Sequence, residues 1–552
     1  MSIPKANNLF DNPSDQLHAV AQLLADGNID NAAALCVQLT KSFPRCSDVW
    51  RLLSCVSLQL TKPKLAIDSA LKAVELNPKS AANFIQLTKS YLAIHEWKNA
   101  KKAIAYAQQL PLNNDAELIA DLAKTTFDTG DIDKSLELYN QALIIDNNHV
   151  ETLHNRALLY RFKGDFDRAE QDYQRLLQIQ PNDVESLYEL SQLKTWDNDH
   201  PWLERINAIN EKAQSWKERA YVEFALGKFL EDQKRFDDAF NHYHQGNKII
   251  HHQNVQVNKQ SLENDITVHK NLPKLFSLLN AKDTILKDIN PKDINAKKSG
   301  NDISGGWKPL FILGMPRTGS TLIDRILSNH SSVISGGELT SMPLAIMESV
   351  GLSAINDPFL LNLDQLKPPT EKSISFIKNR YRQLTQDKAR PDNNHKFVID
   401  KLPFNHKFIG HIISAFPDAK IIYSQRNLSD TLISNYKMLF NHGYSYSYNL
   451  ESLTVYLRSF AATMNQWQKL YPQNIHILNY EQLIESPEST ITNVLSFCGL
   501  STEQRCFEFY KNPTPSHTAS ASQIRQPMHK KSIQHWKHYE SQLTEFTQRF
   551  KQ

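Results

Sequence analysis

The sequence predicts a chain of α plus α/β class, in which an all-helical repeat array precedes an α/β domain with a parallel sheet. Small residues recur at near-constant spacing through the first 255 residues, and a strand, a glycine loop and a helix follow one another after residue 308. We expect the array over residues 1–255, a connecting helix and polar linker over 256–307, and the α/β domain over 308–552.

Composition limits the classes of protein to which the chain can belong. Of 552 residues, 41% are hydrophobic and 22% are charged, which favours folded domains over wholesale disorder. The 62 lysines and arginines against 59 aspartates and glutamates leave a net charge of +3, which argues against a protein that coats nucleic acid. The five cysteines lack CxxC spacing, so we expect neither a disulfide framework nor a zinc site. No apolar run reaches the ~18 residues of a membrane span and no signal peptide is recognisable, so we expect a cytoplasmic protein.

The helical array repeats with a constant period. Ala32, Ala66 and Ala100 lie 34 residues apart, and Ser135 and Ala169 continue the series. A small side chain early in the second helix of each unit lets two antiparallel helices approach closely, while glycines and prolines with the same period fit the turns and helix ends. This pattern matches the tetratricopeptide repeat. We therefore expect the array to bind a protein or peptide on its curved surface.

The α/β domain opens with a predicted phosphate-binding loop. Residues 309–315 form a short apolar run, the segment PRTGST follows, and LIDRILSNH has helical periodicity. Such a loop directs backbone N–H groups and a helix N-terminus at an anion. Ser320 stands where nucleoside-triphosphate loops have a lysine, which disfavours ATP or GTP hydrolysis. Arg317 adds a planar donor that suits a phosphate or a sulfate.

The segment PRTGST resembles the 5′-phosphosulfate loop of sulfotransferases, whose donor is 3′-phosphoadenosine 5′-phosphosulfate (PAPS). The resemblance implies that an arginine after a second strand, with a serine eight residues later in the next helix, binds the 3′-phosphate. Arg426, which follows the run AKIIYS, and Ser434 fit this pattern. The residues that the resemblance assigns to the donor here are Pro316, Arg317, Thr318, Gly319, Ser320, Thr321, Arg426 and Ser434.

Three further segments resemble parts of tyrosylprotein sulfotransferases or of the wider family. Glu338 follows two glycines and lies 21 residues after Arg317, and by this resemblance it is the general base. Lys401, in the run FVIDKLPF, resembles the lysine near the sulfuryl group, and we assign it with Arg317 to stabilising developing charge. The segment TASASQIR resembles a loop that folds over PAPS, which makes Ser520 and Arg525 candidate donor-binding residues.

The order of these motifs resembles that of bacterial tetratricopeptide-containing sulfotransferases. The resemblance implies transfer of a sulfuryl group from PAPS to an acceptor hydroxyl, with 3′,5′-adenosine bisphosphate (PAP) as product and no metal required. We expect a protein or peptide acceptor, with tyrosine as a candidate, because an array beside the active site can present a chain to it. We expect no nucleic-acid partner and no membrane span, and the sequence is compatible with a homodimer.

Three alternatives stay open. The acceptor could be a glycan, a lipid or a small molecule, with the array used only for assembly. The chain could be an inactive tetratricopeptide scaffold, although the presence of Arg317, Glu338 and Lys401 speaks against this. A P-loop kinase, which Ser320 disfavours, would require ATP and Mg²⁺. The partner of the array and the role of the linker over 287–307 are not predicted.

Overall fold

The computed structural model describes most of the chain. The described residues are 13–196, 202–210, 215–253, 255–289, 306–352, 359, 361–389, 391–392, 394–440, 443–512, 514–516 and 523–551. They fall into two compact units, one that ends at Arg156 and one that begins at Ala157. The predicted domain boundaries at 255 and 307 stay a prediction.

The first unit is a series of antiparallel helix pairs. Its helices are α1 (Pro13–Ala25), α2 (Ile29–Ser42), α3 (Ser47–Gln59), α4 (Pro63–Leu76), α5 (Ala81–Leu92), α6 (Trp97–Ala107), α7 (Ala116–Asp128) and α8 (Ile132–Ile145). The small residues of the predicted repeat lie in the second helix of each pair, where Ala32, Ala66 and Ala100 are fully buried. Ser135 Oγ donates a hydrogen bond to the carbonyl of Ala123, 2.7 Å away in the paired helix. The helical array is therefore confirmed.

Helix α9 (Val150–Lys163) crosses the boundary, and the second unit continues with more helices. These are α10 (Phe166–Ile179), α11 (Val184–Ser191), α12 (Trp202–Asn210), α13 (Trp216–Asp232), α14 (Phe236–Gln253) and α15 (Val255–Ile289). Helices α13 and α14 pack closely because Gly227 faces the ring of Tyr243, where an added Cβ would lie 2.7 Å from the ring.

A five-stranded parallel sheet forms the centre of the second unit. Its strands are β1 (Lys308–Gly314), β2 (Val333–Ser335), β3 (Phe397–Lys401), β4 (Lys420–Gln425) and β5 (Ile475–Asn479), in the order β2-β3-β1-β4-β5. Ile312 of β1 lies opposite both Lys401 and Ile422. The carboxyl ends of all five strands therefore meet at one edge of the sheet. The predicted α plus α/β class is confirmed.

Helices cover both faces of this sheet. The helices that follow β1 are α16 (Ser320–Ser328), α17 (Ser341–Ser349), α18 (Glu371–Ala389), α19 (Ile409–Ala415), α20 (Leu428–Tyr436), α21 (Leu450–Leu470), α22 (Tyr480–Glu485), α23 (Pro487–Phe497), α24 (Gln504–Phe507) and α25 (Glu540–Gln548). On one face Leu310 and Ile312 pack with Ile323 of α16, and on the other Phe311 contacts the ring of Tyr381. None of the helices in the described ranges is both long and apolar enough to cross a membrane.

Candidate active site

The loop between β1 and α16 is tightly folded against its neighbours. Its backbone turns through two left-handed conformations, at Arg317 (φ 66°) and Gly319 (φ 98°). Only glycine fits at the second, because a Cβ there would lie 2.5 Å from the ring of Tyr480. Thr318 Oγ1 donates to the carbonyl of Met315 at 2.7 Å, and Ser424 Oγ at the end of β4 donates to the carbonyl of Thr318 at 2.7 Å. The loop is therefore attached to β4.

The N-terminus of α16 follows this loop directly. Its N-cap residue is Gly319, which has no side chain to accept a hydrogen bond from the first-turn N–H groups. These groups also lack acceptors within the helix and carry the positive end of its dipole. Ser320 and Thr321 begin the helix and are mostly buried. The predicted loop residues thus form the local structure that accommodates an anion.

Arg426 and Ser434 lie together beside this loop. Arg426 Nη1 donates to Ser434 Oγ at 3.2 Å and to the carbonyl of Arg317 at 2.7 Å. The guanidinium is buried against the ring of Tyr480, at 5.1 Å from its centroid. Its Nε is buried and has no hydrogen-bond partner among the described residues. The spacing of eight residues therefore does bring the predicted pair into contact.

The positive charge at this place is concentrated. Burial, followed by the nearby charge of Arg426, lowers the pKa of Arg317 to about 10. A fall in the pKa of a guanidinium means that its cationic form is destabilised by its surroundings. A bound anion would remove that penalty. Two guanidinium groups this close to one another would be stabilised by a phosphate or sulfate anion.

Glu338 and Lys401 meet at the ends of β2 and β3. The pairing of these strands extends past β2, because the N–H of Gly336 donates to the carbonyl of Ile399 at 2.9 Å and that of Lys401 to Gly337 at 2.9 Å. This extension sets Glu338 next to Lys401, with 2.5 Å between Oε1 and Nζ. The Lys401 side chain is only 2% exposed, whereas that of Glu338 is 48% exposed. The carboxylate is therefore accessible and the ammonium is held in place.

Sequence reasoning missed several polar residues that support the site. Asn435 Nδ2 donates to the carbonyl of Pro316 at 2.9 Å and so holds the loop against α20. Asp400 is fully buried, and its carboxylate accepts a hydrogen bond from Asn405 Nδ2 at 3.0 Å. Burial raises the pKa of Asp400 to about 7. Burial also raises the pKa of Asp324, which lies near the charge of Lys401. Asp400 could have been found from the sequence, since it directly precedes Lys401 in an otherwise apolar run.

The segment over residues 530–539, which we name the C-terminal strap, was also missed. The carbonyl of Ser532 accepts a hydrogen bond from Arg426 Nη2 at 2.6 Å. The hydroxyl of the same serine lies 2.8 Å from the hydroxyl of Tyr480. The strap therefore contacts Arg426, which is part of the candidate anion site, and Tyr480, whose ring packs against Arg426.

The two candidates from the TASASQIR segment differ in placement. Arg525 donates to the carbonyl of Phe162 at 3.0 Å and packs over Gly164, at the turn between α9 and α10. Its part in donor binding stays a prediction. Ser520 lies outside the described residues. In the part of the chain that the structure describes, no three His, Cys, Asp or Glu side chains are grouped so that they could hold a metal ion.

Comparison with known proteins identifies the two parts of the chain. Residues 309–504 match the model of the sulfotransferase family, and residues 150–183 match that of the tetratricopeptide repeat. These matches support a sulfotransferase domain and at least one tetratricopeptide repeat in the chain. An uncharacterized protein of Aquifex aeolicus is 31% identical over 366 residues, which cover 64% of this chain and 44% of that protein. The chain thus spans less than half the length of this relative.

Solved structures with some similarity include tetratricopeptide proteins. A thermophilic one from Thermus thermophilus is 21% identical, covers 33% of this chain and 98% of its own, and has a TM-score of 0.30. The protein PilF of Pseudomonas aeruginosa is 16% identical, covers 40% of this chain and 96% of its own, and also has a TM-score of 0.30.

The raised pKa of Asp400 predicts how stability depends on pH. An ordinary aspartate has a pKa of 3.8, and that of folded Asp400 is about 7, so the folded state binds this proton more tightly. The contribution of this group to the free energy of unfolding should fall as pH rises between these values. We expect Asp400→Asn to flatten that fall in urea unfolding measured from pH 5 to pH 8. Asp364→Asn, at an exposed surface pair, is the control. An unchanged pH dependence in Asp400→Asn would contradict the assignment.

Proposed function

We propose that this protein transfers a sulfuryl group from PAPS to the hydroxyl of a protein or peptide acceptor, with tyrosine as the favoured acceptor residue. The observation that carries the proposal is the convergence of the phosphate loop with Arg426 and Ser434, in a domain that matches the sulfotransferase family. An anion-binding loop with a second cationic group directly beside it suits a donor that carries a phosphosulfate and a separate phosphate.

The residues of the site fit PAPS in their chemistry. The loop from Pro316 to Thr321 and the N-terminus of α16 would hold the 5′-phosphosulfate, and Arg426 with Ser434 would hold the 3′-phosphate. The buried Nε of Arg426, which lacks a partner among the described residues, suits a further anionic acceptor. When bound, PAPS supplies a sulfuryl group attached to a phosphate leaving group.

The mechanism assigns separate tasks to three charged side chains. Glu338 is half exposed and takes the proton from the acceptor hydroxyl as it attacks. Lys401 and Arg317 donate hydrogen bonds to the oxygens on which negative charge develops. The pairing of Lys401 with Glu338 at 2.5 Å keeps acid–base and charge-stabilising groups at one place.

An aromatic cluster close to Glu338 supports a planar acceptor such as tyrosine. The ring of Phe404 stacks on that of Tyr444, with centroids 4.9 Å apart, and on that of Phe359 at 4.6 Å. Burial raises the pKa of Tyr444, and the charge of Glu338 raises it further. Aromatic rings pack favourably against a phenol. The tetratricopeptide repeat supports a protein or peptide as its carrier.

Replacement of the base tests the mechanism. We expect Glu338→Gln to lower turnover by about 100- to 10,000-fold, because the amide cannot accept the hydroxyl proton. Binding of PAP should stay within twofold of the wild type. The assay is transfer of ³⁵S from labelled PAPS at saturating donor. Glu451→Gln, at an exposed pair with Arg549, is the matched control and should keep full turnover. Wild-type turnover in Glu338→Gln would exclude Glu338 as the base.

The class of acceptor is tested with the same label. Peptides with a single tyrosine, peptides with serine or threonine only, an oligosaccharide and a simple phenol are compared as acceptors. We expect incorporation into the tyrosine peptides, and we expect Tyr444→Ala to raise their KM by up to about tenfold, because Tyr444 is a partly exposed ring of the cluster. Incorporation into the oligosaccharide alone would contradict a protein acceptor.

A further inference from the structure

The C-terminal strap is fixed to the helix that carries Ser434. The carboxylate of Asp430, in α20, accepts hydrogen bonds from the backbone N–H groups of Gln534 at 2.8 Å and Trp536 at 2.9 Å. Gln534 has a left-handed backbone (φ 57°), which is uncommon for a residue other than glycine. The buried Asp430 therefore holds the strap in a conformation that it would not adopt readily without these bonds.

A second anchor of the strap lies in helices α13 and α14. Glu231, in the last turn of α13, accepts a hydrogen bond from His535 Nε2 of the strap at 2.6 Å. The same oxygen, Oε1, forms an ion pair with Lys437, which directly follows α20. Its other oxygen accepts a hydrogen bond from the hydroxyl of Tyr243, in α14, at 2.9 Å. The Glu231 carboxylate thus connects four elements, which are α13, α14, the end of α20 and the strap.

The charge of Glu231 is well compensated. Burial by itself would raise the pKa of this carboxyl, but the charges of Lys437 and His535 and their hydrogen bonds hold it well below its usual range. Ring packing adds to the anchor, because His538 of the strap stacks on Phe236 of α14 with centroids 4.1 Å apart. The strap is therefore bound to α13 and α14 by ionic, hydrogen-bonded and aromatic contacts.

Two connections lead from Glu231 to the candidate 3′-phosphate site. Through His535 it holds the strap, whose Ser532 carbonyl accepts a hydrogen bond from Arg426 Nη2. Through Lys437 it holds the end of α20, in which Ser434 lies one turn earlier. Arg426 and Ser434 are thus both oriented by elements that Glu231 contacts directly.

We propose that Glu231 is a positioning residue, through which helices α13 and α14 fix the strap and α20 in the geometry that binds the 3′-phosphate of the donor. This inference rests on the proposed function, since it takes Arg426 and Ser434 as the phosphate site. Helices α13 and α14 lie in the same compact unit as the sheet. They then have a task in donor binding that is distinct from holding an acceptor.

The test is calorimetric binding of PAP to the full chain with Glu231→Gln. We expect the Kd to rise about tenfold relative to the wild type, which is the effect of losing one charge-assisted hydrogen bond. At saturating PAPS the kcat should stay within twofold while the KM for PAPS rises. Glu223→Gln is the matched control, because Glu223 lies in the same helix and also pairs with a histidine. Its Oε2 lies 2.7 Å from Nδ1 of His242, which is not part of the strap. This control should leave the Kd unchanged.

His535→Gln is the second variant, and it provides the test where Glu231→Gln fails to fold. It removes the partner of Glu231 on the strap and leaves the ion pair with Lys437, so it should raise the Kd by no more than Glu231→Gln does. Where both variants fold, the double variant should bind PAP about as tightly as Glu231→Gln alone, since the loss of Glu231 already removes its contact with His535. Wild-type PAP affinity in both variants, or losses that multiply fully in the double variant, would overturn the inference. Failure of the wild type to bind PAP would instead refute the proposed function.

Discussion

The arrangement of two guanidinium groups, those of Arg317 and Arg426, is the constraint on which the site depends. Cations that are removed from water and lie near one another are costly unless polar groups surround them. Around Arg426 the carbonyls of Arg317 and Ser532, the hydroxyl of Ser434 and the ring of Tyr480 supply that environment. These groups come from the phosphate loop, α20, α22 and the strap, so each of these elements must be in position before the charges can be accommodated.

The parallel sheet makes that convergence possible. Its strands all end at one edge, so the loops after β1, β2, β3 and β4 lie together although they are far apart in the chain. The same topology brings Glu338 to Lys401 across 63 residues, through the extended pairing of β2 with β3. The candidate anion-binding groups and the candidate acid–base groups therefore share one edge of the sheet. The glycines at 319 and 336 permit the close backbone approaches that this edge requires.

The repeat array, which the structure confirms, and the Arg426–Ser434 pair, which it brings into contact, were both predicted from local patterns. The repeat period depends on buried small residues such as Ala66, and the loop and the Arg426–Ser434 pair depend on short spacings, so each is readable within one or two elements. The role of the strap could not be read in this way. Ser532 meets Arg426 across 106 residues and Glu231 meets His535 across 304 residues, and no local periodicity encodes such contacts. The only sequence signal for Asp400 was its position beside Lys401, because the burial that raises its pKa arises from tertiary packing.

If the loop and the Arg426–Ser434 pair form one site for a donor with two separate anionic groups, the affinity for a nucleotide should depend on its 3′-phosphate. The decisive measurement is calorimetric titration of the full chain with PAP, beside ATP and AMP and each with and without Mg²⁺. We expect PAP to bind tightly and independently of Mg²⁺, whereas AMP, which lacks the 3′-phosphate, should bind much more weakly. Preferential binding of ATP with Mg²⁺ would contradict this expectation, and so would equal affinity for PAP and AMP.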